Sequence, residues 1–559
     1  MSARGLPLGT AVSGLTIALL FAQIAGSAAA TPPDSGKPDT AAPTTASQPA
    51  SATGAAPAPS APAAVHHFDI LEYVVDGNTV LPVPDVEEAV YPYLGEGRSA
   101  SDVDHAREAL LQLYRSRGYQ TVQVSIPKQG VESGTIHLQV TENRVERLRV
   151  VGSNYHSLER IADTATSLSE GKVPNVNDMQ KDIGALNQQP DLRVTPRLKP
   201  GKAPGTVDVD LVVQDKLPLH ASLELNNQYN QKTTPLRFVG TMSYSNLWQL
   251  GHTISLTAQT APLRTSDAKV ISGSYMFRLP DTPFTMLFYG LKSDSDVVAL
   301  STTDVVGKGT IFGVRAIASV PGTDTFYSSA TIGLDRKNLT QDVLTAGVPN
   351  SAPVLYYPVS LAYAPVWHDA NLLTEANLSL NFALPGLGGA SNSFDAQRFD
   401  AQRQYIYGKL DLSGTASLPW GGSAFIRVVG QLADGPLLSS EQFSAGGANS
   451  VRGYLEAEAL GDNAVQYTFE FRSPSIAASL PAAVNDWHFL AFADAAALWL
   501  REPLPGQDRT THIAGVGLGT RFTAFDILNG AVDVAYPLQD AVATKAGTPR
   551  VHFRFWMGL

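Results

Sequence analysis

Two hydrophobic periodicities divide the chain. Between residues 66 and 216, helical spacing and short alternating runs take turns. Beyond 217, only two-residue alternation remains. The first stretch opens with a strand over 68–75 and a turn at Gly77-Asn78-Thr79. A short helix over 86–94 follows, broken at Pro92. A longer helix is predicted over 101–117, with Val103, Ala106, Leu110, Leu113 and Tyr114 on one face. Ser101 is its expected cap, Asp102 and Asp104 suit the positive end of its dipole, and Gly118 ends it. Strands over 120–126 and 135–141 close the module. The same order recurs with strand 145–151, turn Gly152-Ser153-Asn154, helices 158–167 and 176–188, and strands 192–198 and 206–214. Such an internal repeat belongs to binding or scaffolding more often than to catalysis.

From 217 the alternating segments number sixteen, the first at 219–229 and the last at 548–559. An even number suits a closed antiparallel barrel with both ends on one side. Connections after even-numbered segments are mostly tight, as at Pro321-Gly322 and Trp420-Gly421-Gly422. Several after odd-numbered segments are long: 338–352, 386–401, 434–462 and 499–511. Short turns at one end and long loops at the other are the outer-membrane arrangement. In the last segment Val551, Phe553, Phe555, Met557 and Leu559 alternate with His552, Arg554, Trp556 and Gly558, which predicts a lipid face and a lumen face. A soluble β-sandwich would alternate likewise, but sixteen strands of this length are too many for one. The fold class expected is mainly β: a 16-stranded antiparallel transmembrane β-barrel over 217–559, preceded by two small α/β modules at 66–143 and 144–216.

Composition narrows the function. Charged residues are only 16% of the 559, against about 25% in ordinary soluble chains. The net charge of −11 argues against a nucleic-acid partner that needs a basic surface. With no cysteine, disulfides, thiolate metal sites and cysteine nucleophiles are ruled out. Arg4, the apolar stretch 15–24 and Ser27-Ala28-Ala29-Ala30 read as a secretory signal peptide over 1–30. A linker follows over 31–65; 28 of residues 31–64 are Ala, Pro, Ser or Thr, too few apolar groups to build a core. No Gly-x-Ser-x-Gly elbow, His-Glu-x-x-His pair or phosphate-binding Gly-rich loop occurs, and His66-His67 is a lone pair beside the linker. No enzyme, cofactor or metal is expected.

Three stretches carry a resemblance. Residues 443–454 read Phe-Ser-Ala-Gly-Gly-Ala-Asn-Ser-Val-Arg-Gly-Tyr, followed by Glu456, Gly461-Asp462 and Glu470-Phe471-Arg472. Phe492-Ala493-Asp494 lies on the thirteenth segment, followed by Ala495-Ala496 where glycine is usual. The two modules, with Gly77-Asn78-Thr79, Arg117-Gly118-Tyr119 and 196–201, complete the set. Together they resemble the two-partner secretion transporters, the haemolysin secretion/activation (ShlB/FhaC/HecB) branch of the BamA-type superfamily. The modules resemble its POTRA domains. Two features depart from that family: the chain ends in Leu559 rather than an aromatic residue, and 31–64 is too rich in proline for the plug helix that some members carry.

The resemblance implies a bacterial outer-membrane protein with POTRA domains in the periplasm. It would pass a large, repeat-rich exoprotein outward without ATP, with lipid and cargo as its partners, and act as a single chain. A barrel-assembly factor, and less so a diffusion porin with a periplasmic binding domain, stay open. Asp494 alternates with lipid-facing positions and must face the lumen, since a carboxylate in lipid is costly. Loop 434–462 would fold inward and bring Arg452 to it, because a guanidinium fork fits a carboxylate through two hydrogen bonds. The resemblance implies the same pairing. Gly453 would allow the close approach, Tyr454 would pack on the inner wall, and Glu470, on the twelfth segment, would be a second acceptor. For cargo, the closing strands around Val122, Val124 and Val194 are candidate edges for strand addition.

Overall fold

The structure is a computed structural model that describes residues 66–558, except 281, 296, 301, 302, 307, 346, 347, 385 and 390. The expected leader (1–30), the linker (31–65) and Leu559 lie outside the described residues. The chain divides between residues 216 and 217 into two compact units.

In the first unit, both modules share one topology. Strand Thr135–Thr141 is central in its sheet, parallel to Glu72–Asp76 and antiparallel to Gln123–Ser125. Strand Thr206–Asp215 is central in the other, parallel to Arg144–Val151 and antiparallel to Leu192–Pro200. Helices Val83–Val90 and Ala100–Ser116 serve the first module, Leu158–Thr164 and Val176–Asn187 the second. Ile70, Leu110, Tyr114, Ile136 and Leu138 are buried in one core; Ile161, Leu168, Leu192, Val209 and Leu211 in the other.

The repeat extends to a polar device. At the end of the first central strand, Glu142 accepts from Thr79 N (2.7 Å), Val80 N (3.0 Å) and the Thr79 hydroxyl. At the end of the second, Asp215 accepts from Ser153 Oγ (2.9 Å) and from the N–H groups of Asn154, Tyr155 and His156. Each carboxylate thus ties down the turn after the strand that runs parallel to its module's central strand, supplying acceptors that a sharp turn lacks.

Three local expectations are corrected. The strand predicted over 68–75 is broken at Leu71: His67–Ile70 pairs with Gly95–Ser99, a strand that the sequence did not suggest. The long helix is capped by Ser99, not Ser101. Asp102 reaches back to Ser99 N and Oγ (both 2.8 Å), a reciprocal cap two residues before the expected one, and the helix runs Ala100–Ser116. The closing strand predicted over 120–126 is only Gln123–Ser125.

The second unit is a closed barrel. Its strands run Leu219–Asn226, Arg237–Leu247, His252–Thr260, Lys269–Arg278, Phe284–Ser293, Lys308–Thr323, Phe326–Thr345 and an eighth divided at Tyr357 into Val348–Tyr356 and Pro358–His368. They continue with Leu372–Ala383, Ile406–Ser417, Ser423–Ala433, Asn463–Arg472, Val484–Trp499, Thr510–Ala524, Leu528–Pro537 and Arg550–Gly558. The eighth is one barrel strand, since both pieces pair antiparallel with the seventh. Pro358, with no N–H to donate, marks the break. Sixteen strands therefore close the barrel, the last pairing with the first from Arg554↔Asn226 to Gly558↔Ser222.

Alternation along these strands sorts side chains by face. On the twelfth strand Tyr467, Phe469 and Phe471 are exposed outward, while Gln466, Thr468 and Glu470 are buried within. On the last, Val551 and Met557 face out and His552 is buried. The connection expected over 338–352 is not a loop: the seventh and eighth strands keep their ladder up to Thr345↔Val348.

Candidate functional site

The site is built where loop 434–462 meets the inner wall. The loop is held as a hairpin by the short pair Phe443–Ala445 and Ala459–Gly461. Gly446 (φ 106°) and Gly447 (φ 107°) turn it in the left-handed region that glycine adopts without strain. Val451 and Tyr454 are fully buried, so the loop tip packs like a core rather than lying in solvent.

Arg452 is 3% exposed. Its Nε donates to Asp494 Oδ2 (2.7 Å), its Nη2 to Asp494 Oδ1 (2.8 Å), and its Nη1 to Glu470 Oε1 (2.8 Å). The Arg452 backbone N–H adds a fourth bond, to Asp494 Oδ2 (3.1 Å). The wall explains why the two carboxylates meet one guanidinium. Glu470 stands opposite Phe492 and Thr468 opposite Asp494 in the ladder of strands twelve and thirteen. All four face the lumen, so the acids are diagonal neighbours.

Charges around the pair balance. Arg472 Nη2 binds Glu470 Oε2 (2.6 Å) and Arg521 binds Asp533 through two bonds (2.6 and 2.9 Å). Asp533 Oδ2 lies 3.9 Å from Arg452 Nη1. Three arginines thus face three carboxylates, and none of these buried charges is left without an opposite partner.

Neighbouring residues fix the tip on both sides. Gly453 N–H donates to His552 Nε2 (3.0 Å) on the last strand. Gly453 has φ 100°, and a Cβ there would lie 3.1 Å from Pro537 N. The Tyr454 hydroxyl lies 2.9 Å from the Gln539 carbonyl and 3.0 Å from that of Ala514. Glu456 N donates to the Tyr229 carbonyl (3.1 Å), just beyond the first strand. Glu458 accepts from Ala543 N, Thr544 N and Leu455 N, each at 2.8 Å.

The structure therefore brings Arg452, Gly453, Tyr454, Glu470, Phe492 and Asp494 into one cluster. Sequence reasoning missed three glycines on strand fourteen. A Cβ at Gly515 would overlap the Arg452 carbonyl, one at Gly517 the Phe492 ring, and one at Gly519 the Asp533 carboxylate. Their signal is legible in Ile513-Ala514-Gly515-Val516-Gly517-Leu518-Gly519: glycine at every second position clears one face of one strand.

Val122, Val124 and Val194 do not join this cluster; they lie in the two N-terminal modules. Gln123–Ser125 and Leu192–Pro200 are edge strands of their sheets. The three valines, however, are buried in the module cores. An added strand would therefore meet backbone groups there, not these side chains.

Comparison with known proteins agrees with this architecture. Residues 68–143 match the model of the ShlB-type POTRA domain. The model described as haemolysin secretion/activation protein ShlB/FhaC/HecB matches residues 205–522. The outer membrane transporter CdiB of Dickeya dadantii is 23% identical over 426 residues, 72% of each chain. The heme/hemopexin transporter protein HuxB of Haemophilus influenzae is 22% identical over 393 residues, 68% of this chain and 67% of its own. Among solved structures, CdiB from Escherichia coli superposes with a TM-score of 0.61 at 19% identity, covering 90% of this chain and 93% of that one. BamA from Haemophilus ducreyi lacking POTRA domains 1–3 gives 0.54 at 13% identity, covering 88% and 100%. A closed barrel preceded by POTRA-type domains is an outer-membrane protein with those domains in the periplasm. With residues 205–522, more than half of its length, matched by that model, the chain belongs to the haemolysin secretion/activation family.

Proposed function

We propose that this protein exports a cognate secreted protein across the outer membrane, taking it up through the POTRA-type modules and passing it through the barrel. The observation that carries this reading is the loop tip seated in the lumen by Arg452, Asp494 and Glu470. An open diffusion porin needs a water-filled channel, and a lumen crossed by a buried, charge-balanced loop is not one. A barrel-assembly factor would share the fold, as the BamA likeness illustrates. The family membership favours export instead.

In this reading residues 144–216, which repeat the first module's topology, are a second POTRA domain. The cargo is a large, repeat-rich exoprotein in extended form. It adds to an open sheet edge, Gln123–Ser125 or Leu192–Pro200, through backbone hydrogen bonds. The Arg452–Asp494 pair is the lock that keeps the lumen closed until cargo engages. Folding of the cargo outside draws it through, with no nucleotide consumed, and one chain suffices.

The test is secretion of a repeat-rich exoprotein co-expressed with this protein, measured in the medium of cells carrying the full chain, no transporter, or the barrel without residues 66–216. Export is expected only with the full chain. Equal export without any transporter would overturn the reading. Equal export by the barrel alone would remove the modules from cargo uptake.

A further inference from the structure

The motif Gly461-Asp462 lies at the end of loop 434–462 and takes no part in the Arg452 cluster. Asp462 is fully buried. Its Oδ1 accepts from Arg398 Nη1 (2.6 Å), Leu437 N (2.9 Å) and Gln442 Nε2 (3.1 Å). Its Oδ2 accepts from Arg398 Nη2 (2.6 Å) and Arg501 N (2.7 Å). Arg398 also donates to the carbonyls of Leu437 (2.9 Å) and Arg501 (3.0 Å). A Cβ at Gly461 would lie 2.8 Å from Leu498 Cβ, so glycine permits this close seat against strand thirteen.

One carboxylate therefore joins three separate connections. Arg398 belongs to the ninth-to-tenth, Leu437 and Gln442 to the eleventh-to-twelfth, and Arg501 to the thirteenth-to-fourteenth. All are odd-to-even connections, at the end of the barrel opposite to the one where the chain enters at Leu219, which is the cell surface. Beneath them is a core that a membrane barrel does not need for spanning. Phe394 and Leu437 are fully buried, and they cluster with Tyr356, Tyr405 and Tyr407 from the strand ends. Inside that core the Glu441 carboxylate accepts from Tyr356 (2.6 Å), Tyr407 (2.7 Å) and Lys337 (2.6 Å). Loops bound by a buried, fully satisfied carboxylate over an apolar core form a lid.

We propose that Asp462 and Arg398 are the positioning residues of an outer closure, separate from the Arg452–Asp494 pair, so that an exported chain must release two barriers. The two ion pairs share no residue, although Arg452 and Asp462 belong to the same loop, so the test below measures their independence directly. The closure goes beyond the transport reading and can be read without cargo, so failure of one leaves the other standing.

The chain has no cysteine, so one introduced thiol reports cleanly. Ala383 ends the ninth strand, buried in the cluster beneath the lid. The full-length protein carrying Ala383→Cys is treated in intact cells, without cargo, with a membrane-impermeant maleimide. Folding is checked by the heat-dependent shift of the barrel in electrophoresis. Labelling should be slow in the otherwise native chain. It should be roughly tenfold faster or more with Arg398→Ala or Asp462→Asn, as expected when charge-assisted bonds are lost. Arg398→Lys should fall between, and Arg452→Ala should label at the native rate. Should Arg398→Ala fail to assemble, the isosteric Asp462→Asn decides. Unchanged labelling in Asp462→Asn, or equal acceleration by Arg452→Ala, would overturn the proposal.

Discussion

The guanidinium of Arg452 rests on the ring of Phe492, its Cζ 3.5 Å from the ring centroid. Phe492 stands opposite Glu470 and two positions before Asp494, so the ring lies between the two carboxylates that the arginine grips. A cation over a desolvated aromatic face gains about 2 kcal/mol. Phe492→Leu keeps the volume apolar and removes that term. The variant should assemble normally, while protease cleavage within 444–455 from outside the cell rises by up to roughly thirtyfold. Unchanged cleavage would show that the ring only fills space.

Arg452→Ala and Asp494→Ala should both reach the membrane and both secrete poorly. Losing Arg452 strands the buried Asp494 carboxylate, at a cost of about 3–5 kcal/mol, while losing Asp494 leaves Arg452 held by Glu470 alone at hydrogen-bond distance. Their double mutant should be no worse than either single one, because residues in one ion pair are coupled. Secretion measured beside barrel abundance checks this. Strictly additive losses would show that the two act separately.

Gly515→Ala should displace the loop without touching a charge. The added methyl would meet the Arg452 carbonyl, which is backbone and cannot rotate away. Impaired secretion is expected with normal barrel assembly. Ala514→Gly, one position along and on the other face, is the control and should secrete normally.

In the second module, stability should depend on Asp215. Burial alone would raise its pKa. The N–H groups of Tyr155 and Asn154, the Ser153 hydroxyl and His156 outweigh burial and hold it well below the usual carboxylate range. A folded pKa depressed below the unfolded value of about 3.9 gives stability that is present above that pH and lost as pH falls through the folded pKa. Hydrogen exchange of residues 144–216 in the full-length protein should stay flat from about pH 7 to 5, after correction for intrinsic rates, and accelerate below about 4. Asp215→Asn should exchange faster near neutrality and lose that acid step. An unchanged acid step in the variant would assign it to another carboxylate.

Periodicity alone determined the architecture of this protein. Two-residue alternation admits one side of a strand to lipid and the other to the lumen, so sixteen such segments imply a barrel, and Asp494 must point inward. Helical spacing and a recurring strand–turn–helix order likewise imply two like modules. Pairing is what sequence could not supply. The strand Gly95–Ser99 is short, polar and glycine-rich, and exists because His67–Ile70 offers it a partner. The seventh and eighth strands extend past the expected loop because each completes the other's hydrogen bonds. Ser99, rather than Ser101, caps the long helix because Asp102 can reach back to it. Arg452 and Asp494 could be matched as charges, but Glu470, Arg472, Arg521 and Asp533 become one balanced cluster only when four strands set their side chains side by side. Asp462 was legible as a motif and mute as to its work. Its donors come from residues 398, 437, 442 and 501, and only the closed barrel, by bringing those connections to one end, makes them neighbours.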